Sequence, residues 1–338
     1  MAYLKDQDTT IRSYHRYIRR AIWHQYEKKS WRQAVMRTEQ SHGINISLLC
    51  SLSGYSRQAY YKQLRYKEKC QLQGELIIQQ VIAYRKVQKR LGTCKLLWLM
   101  RPFLKQHEIS IGRDCMFDLL RLNGLLIGKG KNNKPKTTDS KHWMKKHPNL
   151  IENLTPRMAG GLWVSDITYI ELCLGHSYLS LVTDAYSRKI VGYHLSDQLT
   201  AAGPVAALEM AIQACDNTAG LIHHSDRGTQ YCCNDYVEIL QERGISISMT
   251  QSGDPRDNAI AERVNGILKS ELLEEVYTDV TAARASVARV VNIYNYLRPH
   301  RSLDMLTPAM AHSKTNHFKH HWKSPYRRML EREAIMDG

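Results

Sequence analysis

The sequence contains no stretch approaching the roughly 20 apolar residues that a membrane-crossing helix needs. Its apolar runs are short and broken by charge. The first residues, Met1-Ala2-Tyr3-Leu4-Lys5-Asp6, lack an apolar signal core. None of the eight cysteines (Cys50, Cys70, Cys94, Cys115, Cys173, Cys215, Cys232 and Cys233) forms a Cys-x-x-Cys pair, so neither a zinc motif nor a dithiol redox motif is supported. These absences argue against a membrane partner and predict a cytoplasmic protein with reduced, mostly packed thiols. Wholesale disorder is excluded as well, because 43% of the residues are hydrophobic and they are spread along the whole chain. With 338 residues there is enough chain for two or three domains with their own cores.

The first half is also short of acid. Residues 1–150 hold 30 Lys and Arg against 10 Asp and Glu, whereas residues 151–338 hold 18 against 22. The net charge of +16 therefore resides in the N-terminal half. Such asymmetry points to a polyanion partner, of which a nucleic-acid backbone is the usual one. A basic surface kept for solubility is the plainer alternative. Residues 1–45 form a basic arm with one helix expected around 14–27. Over 46–127 the pattern is helical. Leu48, Leu49 and Leu52 suit a short helix, Gly54 a turn, and Ser56 a cap for a second helix carrying Arg57, Gln58, Lys62 and Arg65. This is a helix-turn-helix pattern whose second helix fits a major groove, with Arg57, Lys62 and Arg65 as the candidate DNA contacts. A plain helical hairpin reads nearly as well. Further helices are expected at about 75–89, 94–105 and 113–122, the last ending at Asn123-Gly124. Residues 128–159 read as a basic linker, either tracking DNA or acting as a solvated tether. Residues 313–338 read as a basic tail.

From residue 160 the texture changes to Trp, Val, Ile, Thr and Tyr, the residues of strands. Strands at 162–171, 178–183 and 189–196, with a turn at Gly175-His176, make an antiparallel meander. A helix at 202–214, a strand at 220–224, a helix at 234–243, a strand at 245–249 and helices at 257–276 and 280–296 follow. This is the order of a ribonuclease-H-like α/β domain over 160–312, a five-stranded mixed sheet with helices, preceded by small all-α units. Fold order alone licenses no function.

Three carboxylates stand out. Asp166 lies mid-strand in Trp163-Val164-Ser165-Asp166-Ile167-Thr168-Tyr169, where an unpaired charge is costly. Asp226 follows the fourth strand in His224-Ser225-Asp226-Arg227-Gly228, at the strand end where ligands of such sheets gather. Glu262 lies on a helix opened by Asp254, Pro255 and Asp257. On that helix Ile260, Val264, Ile267 and Leu268 form the expected buried stripe, and Asn258, Glu262, Asn265 and Lys269 the opposite, polar face. Three carboxylates are a hard oxygen set suited to Mg²⁺ or Mn²⁺, and two such ions would serve phosphodiester chemistry. Taken singly, each carboxylate is as readily a cap or an ion-pair member. Asp184 is assigned to a turn and Asp257 to a cap.

Together these segments become specific. Ser165-Asp166-Ile167-Thr168-Tyr169, Leu181-Val182-Thr183-Asp184-Ala185-Tyr186-Ser187-Arg188 and His224-Ser225-Asp226-Arg227-Gly228-Thr229-Gln230-Tyr231 resemble the integrase core shared by retroviral integrases and insertion-sequence transposases. So does Ser252-Gly253-Asp254-Pro255-Arg256-Asp257-Asn258-Ala259-Ile260-Ala261-Glu262-Arg263. Thirty-five residues separate Asp226 from Glu262, Lys269 stands seven positions after Glu262, and the run Tyr294-Asn295-Tyr296-Leu297-Arg298-Pro299-His300-Arg301-Ser302-Leu303 fits as well. Together these segments resemble OrfB-type transposases of the IS3 insertion-sequence family, over about 45–312. The resemblance implies that Asp166, Asp226 and Glu262 bind two Mg²⁺ (or Mn²⁺) ions. It implies that they expose a 3′-hydroxyl at the element's end and drive its attack on a target phosphodiester. It places Lys269 at the terminal DNA, with Arg263 and Asn258 as further candidate contacts. It further implies a homo-oligomer, at least a dimer, on transposon-end and target DNA, association with the bacterial nucleoid, and an upstream frameshift partner protein. Where the family carries an aromatic-Gly-aromatic-Arg segment this chain has Leu91-Gly92-Thr93-Cys94-Lys95, and it shows no leucine-zipper heptads. Two rivals share parts of the pattern: a nuclease of the same fold that only hydrolyses, and a DNA-binding regulator with a dead core.

Overall fold

The structure, a computed structural model, describes residues 46, 47, 50, 56–128, 143–151, 154–251, 258–315 and 318. The chain divides into two units, Met1–Ile77 and Ile78–Gly338. The helix expected at 14–27, Leu48, Leu49 and Leu52 with the Gly54 turn, half of the basic linker and most of the tail lie outside the described residues, as do Asp254, Pro255 and Asp257.

Helix α1 (Arg57–Val87) begins where the capping signal predicts, with the Ser56 hydroxyl accepting from the Ala59 amide at 3.1 Å. It then runs unbroken for 31 residues and absorbs the separate helix expected from residue 75. Residues 67–73 are mostly strong helix formers without proline, so nothing ends the first stretch before the second begins. Helices α2 (Thr93–Leu99) and α3 (Arg101–Gln106) replace the one helix expected over 94–105. Pro102 supplies no amide hydrogen and is tolerated only in a first turn, so a new helix starts there. Helix α4 (Arg113–Leu122) ends as expected, with Asn123 Nδ2 donating to the Leu119 carbonyl at 2.8 Å and Gly124 at φ +65°.

The α/β part opens with β1 (Leu162–Leu172), β2 (Gly175–Asp184) and β3 (Ile190–Ser196). Then come α5 (Ala202–Gln213), β4 (Ile222–Ser225), α6 (Thr229–Cys232), α7 (Asn234–Glu242) and β5 (Ser246–Met249). Helices α8 (Ala259–Ile267), α9 (Val280–Asn292) and α10 (Pro308–His312) complete it. The sheet order is β3-β2-β1-β4-β5, antiparallel across the first three strands and parallel from β1 to β4 to β5. This is the five-stranded mixed sheet expected. The first hairpin turns at Cys173-Leu174, not at Gly175-His176, because His176 already pairs with Glu171 and Gly175 with Leu172. The buried residues fall into separate clusters on the two faces. Leu179, Leu181 and Leu195 pack with Val264, Leu268, Val287 and Tyr294 of the C-terminal helices. Trp163, Ile167 and Val182 pack with Ala207, Leu208, Tyr236 and Leu240 of α5 and α7. Among the described residues no helix is long and apolar enough to cross a membrane.

Two helices widen at their ends. A π-helical turn, Leu268–Leu272, continues α8, and another, Ile293–Leu297, continues α9.

Strand β3 carries a bulge that leaves Val191 unpaired, since Val182 pairs with Gly192 and Thr183 with Ile190. Helix α5 lies against the bulge so closely that a Cβ at Gly192 would fall 2.0 Å from the Ala207 carbonyl oxygen and 3.0 Å from the Ala211 Cβ. Only glycine fits. The substitution Gly192→Ala must push helix from sheet, and the upper end of overpacking costs applies, about 3 kcal/mol. Thermal unfolding should show a melting point lower by about 6–12 °C; an unchanged value would mean that α5 does not pack on the bulge.

Candidate active site

Asp166 is the fifth residue of β1, paired with Leu181 on the β2 side. On its other side the parallel register runs Leu162 to Ile222, Trp163 to His223 and Val164 to His224. The same count brings Asp166 level with Asp226, just beyond the last paired residues. The sequence thus puts one carboxylate on each of two neighbouring strands where they part. Asp226 Oδ1 accepts from the Gly228 amide at 2.9 Å. A Cβ at Gly228 would stand 3.1 Å from that same oxygen, so the turn that holds Asp226 is cut to glycine.

Helix α8 supplies the third group. Glu262 is exposed in its first turn. One turn later, Asn265 Nδ2 donates to Asp166 Oδ2 at 2.7 Å, while Asp166 Oδ1 accepts from the Ile167 amide at 2.9 Å. Only part of Asp166 reaches solvent. Burial, then the charge of Asp226, and to a lesser degree that of Glu262, push its carboxyl up to about 7 against the pull of the two hydrogen bonds. The carboxylates of the two strands and the helix therefore share one electrostatic neighbourhood. Among the described residues, no three His, Cys, Asp or Glu side chains are close enough together to hold a metal ion as they stand.

The other expected site residues divide. Lys269, in the π turn that follows α8, places Nζ 3.4 Å from the centroid of the Tyr169 ring, on the same strand as Asp166. Arg263 is exposed beside Glu262. Arg57, Lys62 and Arg65 are exposed on α1, within the first unit. Asn258 is not on an open face as expected: it is 7% exposed, and its Nδ2 donates to the Ser165 carbonyl at 2.8 Å, so that nitrogen is already engaged within the protein. Asp184 is the last residue of β2, not a turn residue, and its side chain holds the turn that follows: Oδ1 accepts from the Ser187 amide at 2.8 Å and from the Ser187 hydroxyl at 2.6 Å.

Asn265 is the residue that sequence reasoning passed over. It was counted on the polar face of the helix and given no role, yet it is buried and fixes Asp166. Its position, three residues after Glu262 and hence on the same helical face, was the available signal.

A further ionic cluster lies away from the carboxylates. Glu271, in the same π turn as Lys269, receives Arg298 through Nε at 2.9 Å and Nη2 at 2.8 Å, and Lys95 Nζ at 2.8 and 3.0 Å. Arg298 Nη1 is 2.9 Å from His300 Nε2. Burial works against ionisation of Glu271, but the hydrogen bonds and charges of Arg298 and Lys95 more than offset it and hold its carboxyl below the usual range. Arg298 and His300 belong to the run of residues 294–303 singled out in the sequence. Their place is in this cluster, which ties α2 to the C-terminal helices.

Comparison with known proteins identifies the family. A family described as "Integrase core domain" matches residues 156–255, and a second of the same description matches residues 243–308. The "Insertion element IS600 uncharacterized 31 kDa protein" of Shigella sonnei is 32% identical over 271 residues, spanning 79% of this chain and 98% of that one. The "Transposase for insertion sequence element IS904" of Lactococcus lactis is 33% identical over 196 residues, 56% of this chain and 76% of that one. Among solved structures, the HTLV-2 integrase catalytic core domain in complex with magnesium covers 46% of this chain and 97% of its own, at 17% identity and a TM-score of 0.36. On the strength of the sequence relatives, the chain belongs to the IS3 family of insertion-sequence transposases with an integrase core.

Proposed function

We propose that this transposase cuts insertion-sequence DNA ends and joins them to target DNA at Asp166, Asp226 and Glu262, with divalent cations held by those three residues. The observation that carries the reading is the crowding of Asp166 by Asp226 and Glu262, while Asn265, from Glu262's own helix, keeps its Oδ2 in place. Crowded carboxylates near a sheet's strand ends are costly without a counter-cation. Their oxygens are the hard donors that Mg²⁺ or Mn²⁺ prefers, and two ions are expected. When bound, such ions supply charge for the entering and leaving oxygens of an in-line phosphoryl displacement.

The chain's own residues do the rest. Asn265 and the Ile167 amide fix both oxygens of Asp166, so its lone pairs point one way throughout the reaction. Lys269 is held over Tyr169 on the strand of Asp166 and is the candidate to meet a terminal phosphate of the transposon end. Arg263 is placed to do the same beside Glu262. The helix-turn-helix region of 46–127, with Arg57, Lys62 and Arg65, and the basic linker of 128–159 would hold the DNA, and the core of 160–312 would act on it, two ends being served by at least two copies.

The test is a strand-transfer assay with labelled terminal DNA, a target plasmid and Mg²⁺. Joined product is expected, and chelation should remove it. Cleavage without joining would replace this reading with that of a hydrolytic nuclease, and DNA binding with neither product would leave a regulator.

A further inference from the structure

Beneath the carboxylates lies a buried polar knot that the chemistry above leaves unused. Side chains alternate along a strand, so Ser165 faces the opposite side of the sheet from its neighbour Asp166. Its hydroxyl oxygen is 2.7 Å from His223 Nε2, and the same nitrogen is 2.9 Å from the Tyr236 hydroxyl. None of the three is more than 1% exposed. The Ser165 carbonyl, meanwhile, accepts from Asn258 at the start of α8. One residue is therefore bonded to β4, reaches α7 through that imidazole, and is bonded to the helix of Glu262, while the next residue in the chain is Asp166.

The position of this knot matters because of where the strand ladder stops. Strands β1 and β4 are paired in register only as far as Val164 and His224. Asp166 and Asp226 stand past that point, so the gap between their carboxylates depends on how far the strands splay. The Ser165–His223 bond crosses from one strand to the other one residue before Asp166. The Asn258–Ser165 bond seats the first turn of α8, and so Glu262, on the same strand segment.

We infer that Ser165 is a positioning residue: through His223 and Asn258 it sets the distance of Asp166 from Asp226 and of Glu262 from both, and with it the affinity of the site for a divalent cation. This rests on the reading of the three carboxylates as cation ligands. Supporting residues of this kind commonly change metal affinity by about 10–100-fold when removed, without touching the ion.

The experiment titrates the full-length protein, without DNA, with Mn²⁺ alone, and reads free Mn²⁺ by its paramagnetic resonance signal. Ser165→Ala should raise the Mn²⁺ concentration for half-saturation by about tenfold or more. Its joining rate in the strand-transfer assay should return toward wild type at saturating Mn²⁺, which a general loss of fold would not allow. Tyr236→Phe, which removes the other hydroxyl of the knot and leaves the Ser165–His223 bond in place, should shift the same midpoint by less, and it decides the matter if Ser165→Ala does not fold. Ile245→Val, a buried change elsewhere in the sheet region, serves as the control for stability and should leave the midpoint alone. If wild type binds Mn²⁺ and both knot variants bind it equally well, or if the control weakens binding as much as they do, the positioning role falls and the active-site assignment stands. If wild type itself binds no Mn²⁺ and joins no DNA, the assignment beneath it has failed.

Discussion

Asp166→Asn should abolish DNA joining and at the same time make the metal-free protein harder to unfold at alkaline pH. The two effects have one origin. In the folded chain the Asp166 carboxyl is pushed from 3.8 to about 7, chiefly by burial and then by Asp226. The folded state thus holds this proton more tightly than the unfolded state. Between pH 3.8 and about 7, stability must fall as pH rises, and above that window the folded protein carries the full penalty of a charge it would sooner lose. That penalty, discounted for the solvent that reaches the residue, is worth about 2–3 kcal/mol. Asparagine removes the charge and nearly keeps the shape. Turning over the Asn265 amide, whose Oδ1 lacks a partner, would let it accept from the new amide. Urea unfolding in chelator should therefore show the variant gaining about 2–3 kcal/mol at pH 8 and almost nothing at pH 4. Joining activity should fall by on the order of a thousandfold or more, with DNA binding kept, because one developing charge in the transition state loses its counter-charge. A variant that joins DNA normally, or is less stable at pH 8, would contradict the account of Asp166.

Glu271→Ala should cost folding heavily. It would strand two cations, Arg298 at 2% exposure and Lys95, around a vacant centre. Breaking a buried pair from one side typically costs 3–5 kcal/mol, and the residual exposure of Glu271 and Lys95 places this case near the lower figure, about 3 kcal/mol. Lys95→Met alone should cost less, since the bidentate Arg298–Glu271 pair survives. In the double variant Lys95→Met/Glu271→Ala one of the stranded charges is gone, so the combined loss should be smaller than the sum. Chemical denaturation of the four proteins measures this directly. Strict additivity would show that the three side chains do not act as one cluster.

Much of this was readable in the sequence. The carboxylates proposed as catalytic stand out in the sequence because a charge in the apolar strand around Asp166 and an acid directly after β4 need a reason. The strands were legible through their Trp, Val, Ile and Tyr content, and the start of α1 through the hydroxyl of Ser56. The helix of Glu262 was less transparent. Hydropathy assigns Asn258 and Asn265 to the solvent side, but both are buried, because each meets a bond partner 93 or 99 residues away in the chain. A polar residue buried by a distant partner leaves no trace in local periodicity. The same holds for Glu271 and Lys95, 176 residues apart. Nor could hydropathy show that α1 is one helix or that 94–105 is two, since both outcomes turn on the presence or absence of a breaker within an otherwise uniform pattern.

The π turn at Leu268–Leu272 has a consequence for how this stretch can change over generations. Such a turn amounts to an inserted residue accommodated inside an α-helix. Winding these same residues as ordinary α-helix would instead over-rotate the side chains that follow. Leu272 and Leu273 would leave the interior and Glu271 would swing from Arg298, although no essential side chain had been lost. Replacing the exposed Ser270, by contrast, disturbs one hydrogen bond to the Gly266 carbonyl. Descendants of this transposase are therefore free to vary exposed letters such as Ser270 far more than the winding of this turn.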